Sequence, residues 1–402
     1  MTELIFSVMN YGPVTTEALQ PLLQEFEQQS GVKVGLRLME WDTGRYELSQ
    51  IAIHHQGPDV SEIGQTWLSD LISMATLRPF YRSNLEKIGK KEEFLPVSWV
   101  NCTIPDDPTI WAVPWITDVF NIHYRKDLLQ KAGIPEANAF QSYPAIDHTV
   151  EQLNLSGVQV PIGLPLSFDR QTNLHVAASW IWGAGGEFCT TDGKRVLFDQ
   201  PQAVRGIVGY YRLLRHLSPE ALRICHSQNY VELFHAGQAA VIFAPHSATL
   251  PSTLLLPEVR QNWGIAPFPN ASWTGGSNLI IWKHSRQERA ALELVDFMTS
   301  SSFQSRFPPA LGVLPCRIAA YASPGLKDDP VLQIQMQSLL SARTYTTFPL
   351  WGIVEDRLVQ ALQNIWEEYY ANPSLDLEEL VSRVIRAIAG RLNITLSQYR
   401  TS

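Results

Sequence analysis

Apolar residues cluster at 3–8 with the length of a strand. Leu19, Leu22, Leu23 and Phe26 then recur at helical spacing, and Gly31 closes the run. Proline suits only the first turn of a helix, so Pro21 predicts a start near residues 18–20. Val32, Val34, Leu36 and Leu38 alternate strictly, which predicts a second strand. Strand, helix and strand in succession make a βαβ unit, whose crossover is right-handed. Pro58-Asp59-Val60 opens a third strand, and residues 67–77 read as a second helix.

The pattern changes twice further on. Residues 111–124 are two apolar runs broken by Pro114 and Thr117-Asp118. Residues 263–282 are again two runs, broken by Pro267, Pro269 and Gly275-Gly276. Paired extended segments of this kind suit crossings between two lobes. Residues 172–184, 201–216 and 229–236 carry helical patterns, and 240–243 read as a short buried strand. A helix is expected at 286–299. Two C-terminal helices follow, one through Val354, Leu358, Leu362, Ile365 and Tyr369, the other through Leu377, Leu380, Val384, Ile388 and Leu392.

This order predicts an α/β fold of two lobes, each a β-sheet flanked by helices, with a ligand cleft between them. The first lobe is 1–113 plus 264–312, and the second 114–263 plus 313–402. Hinge crossings fall near 111–118, 263–275 and 312–316.

Composition narrows the partners. The chain has 402 residues, 45% hydrophobic and 17% charged, which is ordinary for a globular protein. A net charge of −8 argues against nucleic acid or an acidic membrane surface. No apolar run approaches the ~20 residues of a membrane helix. Leu4-Ile5-Phe6 is too short for the apolar core of an export signal, so either a signal has been removed or the protein is cytoplasmic. Cys102, Cys189, Cys225 and Cys316 form no CxxC and no metal-ligand spacing, and read as isolated thiols. No metal or other cofactor is expected.

Enzyme signatures such as GxSxG, GxxxxGK[ST] and HExxH are missing from the sequence. His54-His55 points two ways from a helix, and Asp106-Asp107 and Asp328-Asp329 sit beside prolines as turn residues. The twelve Trp are more informative. Trp41-Asp42 and Thr66-Trp67 each follow a strand signal, and in an open α/β sheet such ends line the ligand crevice. Flat aromatics with carboxylates suit hydroxylated rings. Asp118 lies between apolar runs, where an unpaired acid is costly, so it needs a ligand hydroxyl or a protein partner. Trp180 and Trp182 share one helix but face apart, so one of them is expected to reach a ligand. Trp273 precedes Gly275-Gly276, where glycine permits close approach, and Asn278. Tyr11, Asn173 and Trp351 complete the candidates. Trp115 reads as hinge packing, and Trp99, Trp111, Trp263, Trp282 and Trp366 as core.

Several blocks together resemble family 1 of the extracellular solute-binding proteins, the sugar-binding components of ATP-driven importers. They are Pro58-Asp59-Val60 with Gly64-Gln65-Thr66-Trp67; Val113-Pro114-Trp115-Ile116-Thr117-Asp118 with Tyr124-Arg125-Lys126-Asp127-Leu128-Leu129 and Ala132-Gly133-Ile134; Asn173-Leu174-His175 through Trp180-Ile181-Trp182 and Gly185-Gly186; Gly275-Gly276-Ser277-Asn278-Leu279-Ile280-Ile281; and Gly312-Val313-Leu314-Pro315. The resemblance implies a two-lobed, periplasmic-binding-protein type II-like fold that closes on ligand without chemistry. It supports Asp118, Trp273, Gly275 and Gly276 as contacts, and Trp41, Trp67 and Trp351 as stacking groups. Two positions depart from the family. Ala244-Pro245-His246 stands where a Trp is common, so His246 is expected to replace stacking with a hydrogen bond. Ala139-Phe140-Gln141 replaces a usual Thr-Trp.

The expected function is capture of a mono- or oligosaccharide by a monomer that delivers it to a membrane permease, in the periplasm or at the cell surface. A non-sugar solute, a sensor module without transport and a glycoside hydrolase are the alternatives.

Overall fold

The strand signals at the N-terminus become one end of a sheet. The computed structural model describes residues 3–105, 107–167, 169–249 and 254–398. It comprises two units: unit 1 is 1–118, 275–329 and 344–352, and unit 2 is 119–274, 330–343 and 353–402. Asp106 lies outside the described residues.

In unit 1, β1 (Glu3–Met9) lies between β2 (Lys33–Met39) and β3 (Val60–Gly64), parallel to both. The order continues from β3 to an antiparallel strand within 274–282. Leu4, Phe6 and Val8 face a core built with α1 (Pro13–Ser30), through Leu19, Leu22, Leu23 and Phe26. Trp115 joins that core, near-parallel to Phe307 at 5.3 Å. Met9, Ile63 and Trp282 pack the opposite face against α2 (Trp41–His54). Ser7 and Ser61 lie on that face too, paired at 2.6 Å, and Trp282 Nε1 donates to Ser61 at 2.7 Å. Every buried hydroxyl in this row therefore has a partner, as burial demands.

The remaining strands are β4 (Leu77–Arg78), β5 (Val113–Arg125), β6 (Val241–Pro245), β7 (Trp263–Pro267), β8 (Thr274–Trp282) and β9 (Leu314–Pro315). In unit 2, β5 is flanked by β6 and β7, both antiparallel, with Ile122 opposite Phe243 and Ala266. Helix Arg170–Gly183 packs on helix Pro201–Arg212 at Gly206. A Cβ on Gly206 would fall 2.6 Å from Ile181 Cα and Trp180 O, so only glycine permits this approach. Helices Trp351–Ala371 and Leu377–Gln398 end the described chain.

Several expectations change. α1 starts at Pro13, which occupies the first helical position, and runs straight through Pro21. Pro21 is exposed, so the carbonyl that loses its intrahelical bond there faces water. The second helix is shorter than 67–77: a 3₁₀ turn Gln65–Trp67 leads into helix Leu68–Ser73. The two apolar runs at 111–124 are one thirteen-residue strand that takes Pro114 at its second position, where proline is tolerated. Residues 313–329 and 344–352 belong to unit 1, not to the second lobe. Leu314–Pro315 pairs with Ile116–Thr117, and Asn101 binds Thr344 and Thr347. Residues 114–118 stay with unit 1, and 264–274 go to unit 2.

Among the described residues no helix is long and apolar enough to cross a membrane. Cys102, Cys225 and Cys316 are buried free thiols and Cys189 is half-buried. His55 is the left-handed C-cap of α2.

Candidate functional site

Three parallel strands end side by side in unit 1, and each delivers an aromatic residue. Tyr11 follows β1, Trp41 follows β2 as the first residue of α2, and Trp67 follows β3. Their rings meet edge to face: Tyr11 and Trp41 at 5.8 Å and 80°, Trp41 and Trp67 at 5.6 Å and 64°. Trp41 is 37% exposed, whereas Tyr11 and Trp67 are half-buried. Two glycines make room for Trp67. A Cβ on Gly64 would sit 3.0 Å from Trp67 Cε2, and one on Gly44 would sit 3.6 Å from its Cη2 and 3.1 Å from Met9 Sδ.

The loop carrying Tyr11 is pinned at both ends. Asn10 N donates to Met39 O at 2.7 Å, and Tyr11 N donates to Thr15 Oγ1 at 2.7 Å. The Asn10 amide donates to Glu40 and accepts from Gly12 N. Asp42 is exposed in the first turn of α2, where a carboxylate complements the helix dipole. Thr66 is half-buried beside Trp67.

Beneath Tyr11 lies Glu62, a residue the sequence reading did not single out. It is fully buried in β3. Its Oε1 accepts the Tyr11 hydroxyl at 2.7 Å and its Oε2 accepts Met9 N–H at 2.8 Å. Burial pushes its carboxyl up to about 7, against smaller lowering effects of Ser277, Met9 and Tyr11. Burial, with the negative charges of Glu62 and Asp118, holds the Tyr11 hydroxyl well above the usual phenol range. Asp118 is half-buried on β5, and its negative charge is the smallest of the influences on the Tyr11 hydroxyl.

The Glu62 shift sets a stability profile. A carboxyl whose folded value lies above its unfolded value favours the fold at low pH. That contribution is complete below about 4.5 and is lost as pH rises through about 7. The wild type should lose about 2.5 kcal/mol between pH 5 and pH 8 through this group. Glu62→Gln should remove that slope. Calorimetric melting of both proteins at the two pH values checks it, and parallel slopes would refute it.

Unit 2 holds a second aromatic group. Trp273 lies parallel to His175, centroids 3.7 Å apart, and Phe120 meets Trp273 edge-on at 5.1 Å. Trp273 N donates to Ser179 Oγ at 2.9 Å, and Ser272 Oγ donates to Phe120 O. Trp273 is 8% exposed, with one face taken by His175. Burial pushes His175 down to about 3, so its ring is neutral at physiological pH. His246 lies close to parallel with Trp263 and His123.

The other sequence candidates are occupied inside their units. Asn173 is buried, accepting from Tyr210 and donating to Tyr211. Trp180 packs among Tyr143, Tyr210 and Phe243, and Trp182 lies under the Arg343 guanidinium, so both faces of that helix are covered. Trp351 is buried against Tyr345 and Phe348. Asn278 is buried and donates to Asn101 O at 2.9 Å. Gly275 O accepts from Thr117 Oγ1, and Gly276 presses against the Ile116–Thr117 backbone. Trp99, Trp115, Trp282 and Trp366 are core, whereas Trp111 and Trp263 are half-buried.

The family model for bacterial extracellular solute-binding protein matches residues 12–305. The diacetylchitobiose binding protein DasA of Streptomyces coelicolor is 21% identical over 354 residues, covering 83% of this chain and 78% of that protein. The sugar-binding protein MalE from Xanthomonas citri superposes with a TM-score of 0.83 at 21% identity, over 99% of this chain and 98% of its own. An ABC transporter solute-binding protein from Thermotoga lettingae, bound with α-D-tagatose, gives 0.82 at 19% identity over 98% and 100%. The fold is the α/β, two-lobed type II form of the periplasmic binding proteins. This chain belongs to the bacterial extracellular solute-binding protein family.

Proposed function

We propose that the protein captures a mono- or oligosaccharide outside the cytoplasm and delivers it to the permease of an ABC-type importer. The observation that carries this reading is the convergence of Tyr11, Trp41 and Trp67 at neighbouring strand ends, with Asp118 near Tyr11. Indole faces stack on the C–H face of a pyranose, each burying a large apolar area. Carboxylates take the hydroxyl donors in charge-assisted bonds, the stronger kind. Asp42 and Thr66 stand beside the aromatics as further polar contacts. In unit 2, Trp273 is the stacking candidate and His246 a hydrogen-bonding one. The ligands named for DasA and for the Thermotoga protein, diacetylchitobiose and α-D-tagatose, support the sugar class.

The protein acts by binding, as a monomer, without hydrolysing its ligand. A thermal-shift and calorimetric screen against mono- and oligosaccharides tests this. A true ligand at a hundred times its Kd adds about 2.7 kcal/mol of stability. Binding of a polyamine or metal complex, with no response to any sugar, would overturn the reading. Release of reducing ends from a bound oligosaccharide would overturn the non-catalytic part.

A further inference from the structure

Glu62 is buried, titrates near neutral pH and was not among the residues the sequence pointed to, yet it touches the one hydroxyl of the aromatic group. A tyrosine hydroxyl has one donor and two acceptor positions. In Tyr11 the donor is directed into Glu62 Oε1 at 2.7 Å, and Met9 N–H holds the other carboxylate oxygen at 2.8 Å. What Tyr11 can offer a ligand is then acceptor capacity. Ser277 from β8 lies beside both groups and can occupy one lone pair at most. The charges acting on the Tyr11 hydroxyl are the carboxylates of Glu62 and Asp118, and an ionised carboxylate only accepts.

We propose that Glu62 is a positioning residue that fixes Tyr11 as a hydrogen-bond acceptor, so that this part of the site selects a ligand hydroxyl or ammonium and rejects carboxylate and phosphate. The inference rests on the sugar reading above and narrows it to neutral and amino sugars. Protonation of Glu62 alters the arrangement. The new O–H at Oε1 can donate to Tyr11, which frees the Tyr11 proton for the ligand. The groups facing Glu62 are Tyr11 from the loop after β1, the Met9 N–H of β1 and Ser277 of β8; the charge of Asp118 on β5 acts on Tyr11. Of these, Tyr11 titrates well above neutral, so a change between pH 6 and pH 8 in the ratio of hexose to uronic acid, neither of which titrates in that window, reports Glu62.

The test uses matched probes on one scaffold at a time: a hexose, its 2-amino analogue and its uronic acid, free and as the terminal unit of a disaccharide. At pH 8 the wild type should bind the neutral and amino forms at least about tenfold more tightly than the acid. That ratio should shrink at pH 6. Glu62→Gln places an amide donor against Tyr11 and should show the smaller ratio at both pH values. Should this variant fail to fold, the wild-type ratio at the two pH values still decides. Equal binding of a hexose and its uronic acid would overturn this inference and leave the sugar reading standing. So would a preference that does not change with pH. Binding of no sugar of any charge would overturn both.

Discussion

Trp41→Ala is expected to weaken sugar binding about a hundredfold while the protein stays folded. Trp41 is the middle ring of the group in unit 1 and the most exposed of the three, with 37% of its surface open. A pyranose seated on one indole face removes roughly 100 Å² of apolar surface from water, worth about 2.5 kcal/mol. Each 1.4 kcal/mol is tenfold in affinity. Stability should suffer less. The variant loses two edge-to-face pairs, at about 0.5–1.5 kcal/mol each, but leaves no closed cavity. The melting temperature should fall by about 5 °C. Titration calorimetry with the tightest sugar from the screen measures the first effect, and scanning calorimetry the second. Unchanged affinity would remove Trp41 from the site.

Gly276→Ala should be the most damaging small substitution in unit 1. Gly276 has φ +135°, which side chains rarely adopt, and its added Cβ would lie 2.2 Å from Ile116 O and 2.7 Å from Thr117 Cα. Both obstacles are backbone, held in β5 where Ile116 and Thr117 pair with β9. The strain costs on the order of 1–3 kcal/mol and the forced separation a similar amount. A loss of about 10 °C in melting temperature follows. Gly390 gives the control. It lies in helix Leu377–Gln398 with open space around its Cβ position, so Gly390→Ala should be neutral or slightly stabilising. A wild-type melting temperature for Gly276→Ala would contradict the close packing described. Gly276 is thus accounted for by strand packing within unit 1, before any ligand is considered.

Much of the fold was legible because its signals are periodic. Leu19, Leu22, Leu23 and Phe26 do form the buried face of α1. Trp41 and Trp67 could likewise be placed after strands from local signals, and the two rings meet at 5.6 Å. What stayed hidden depends on orientation and on distant segments. Nothing in Trp351 or Trp180 distinguishes a core indole from an exposed one, and both are buried. Asn173 and Asn278 looked like ligand amides, but Tyr210, Tyr211 and Asn101 claim them from far along the chain. Pro21 misled because its cost depends on which way the broken turn faces. Glu62 did leave a trace, as the single acid in a five-residue strand that is buried throughout. That pattern asks for a partner, and only the structure shows it to be Tyr11.

The most direct measurement is a crystal structure of the protein with the tightest sugar from the screen. The account predicts a pyranose or furanose ring in van der Waals contact with the exposed face of Trp41, and a sugar hydroxyl donating to Asp118 or to Tyr11 Oη. A sugar bound elsewhere, with Tyr11, Trp41 and Asp118 untouched, would contradict it.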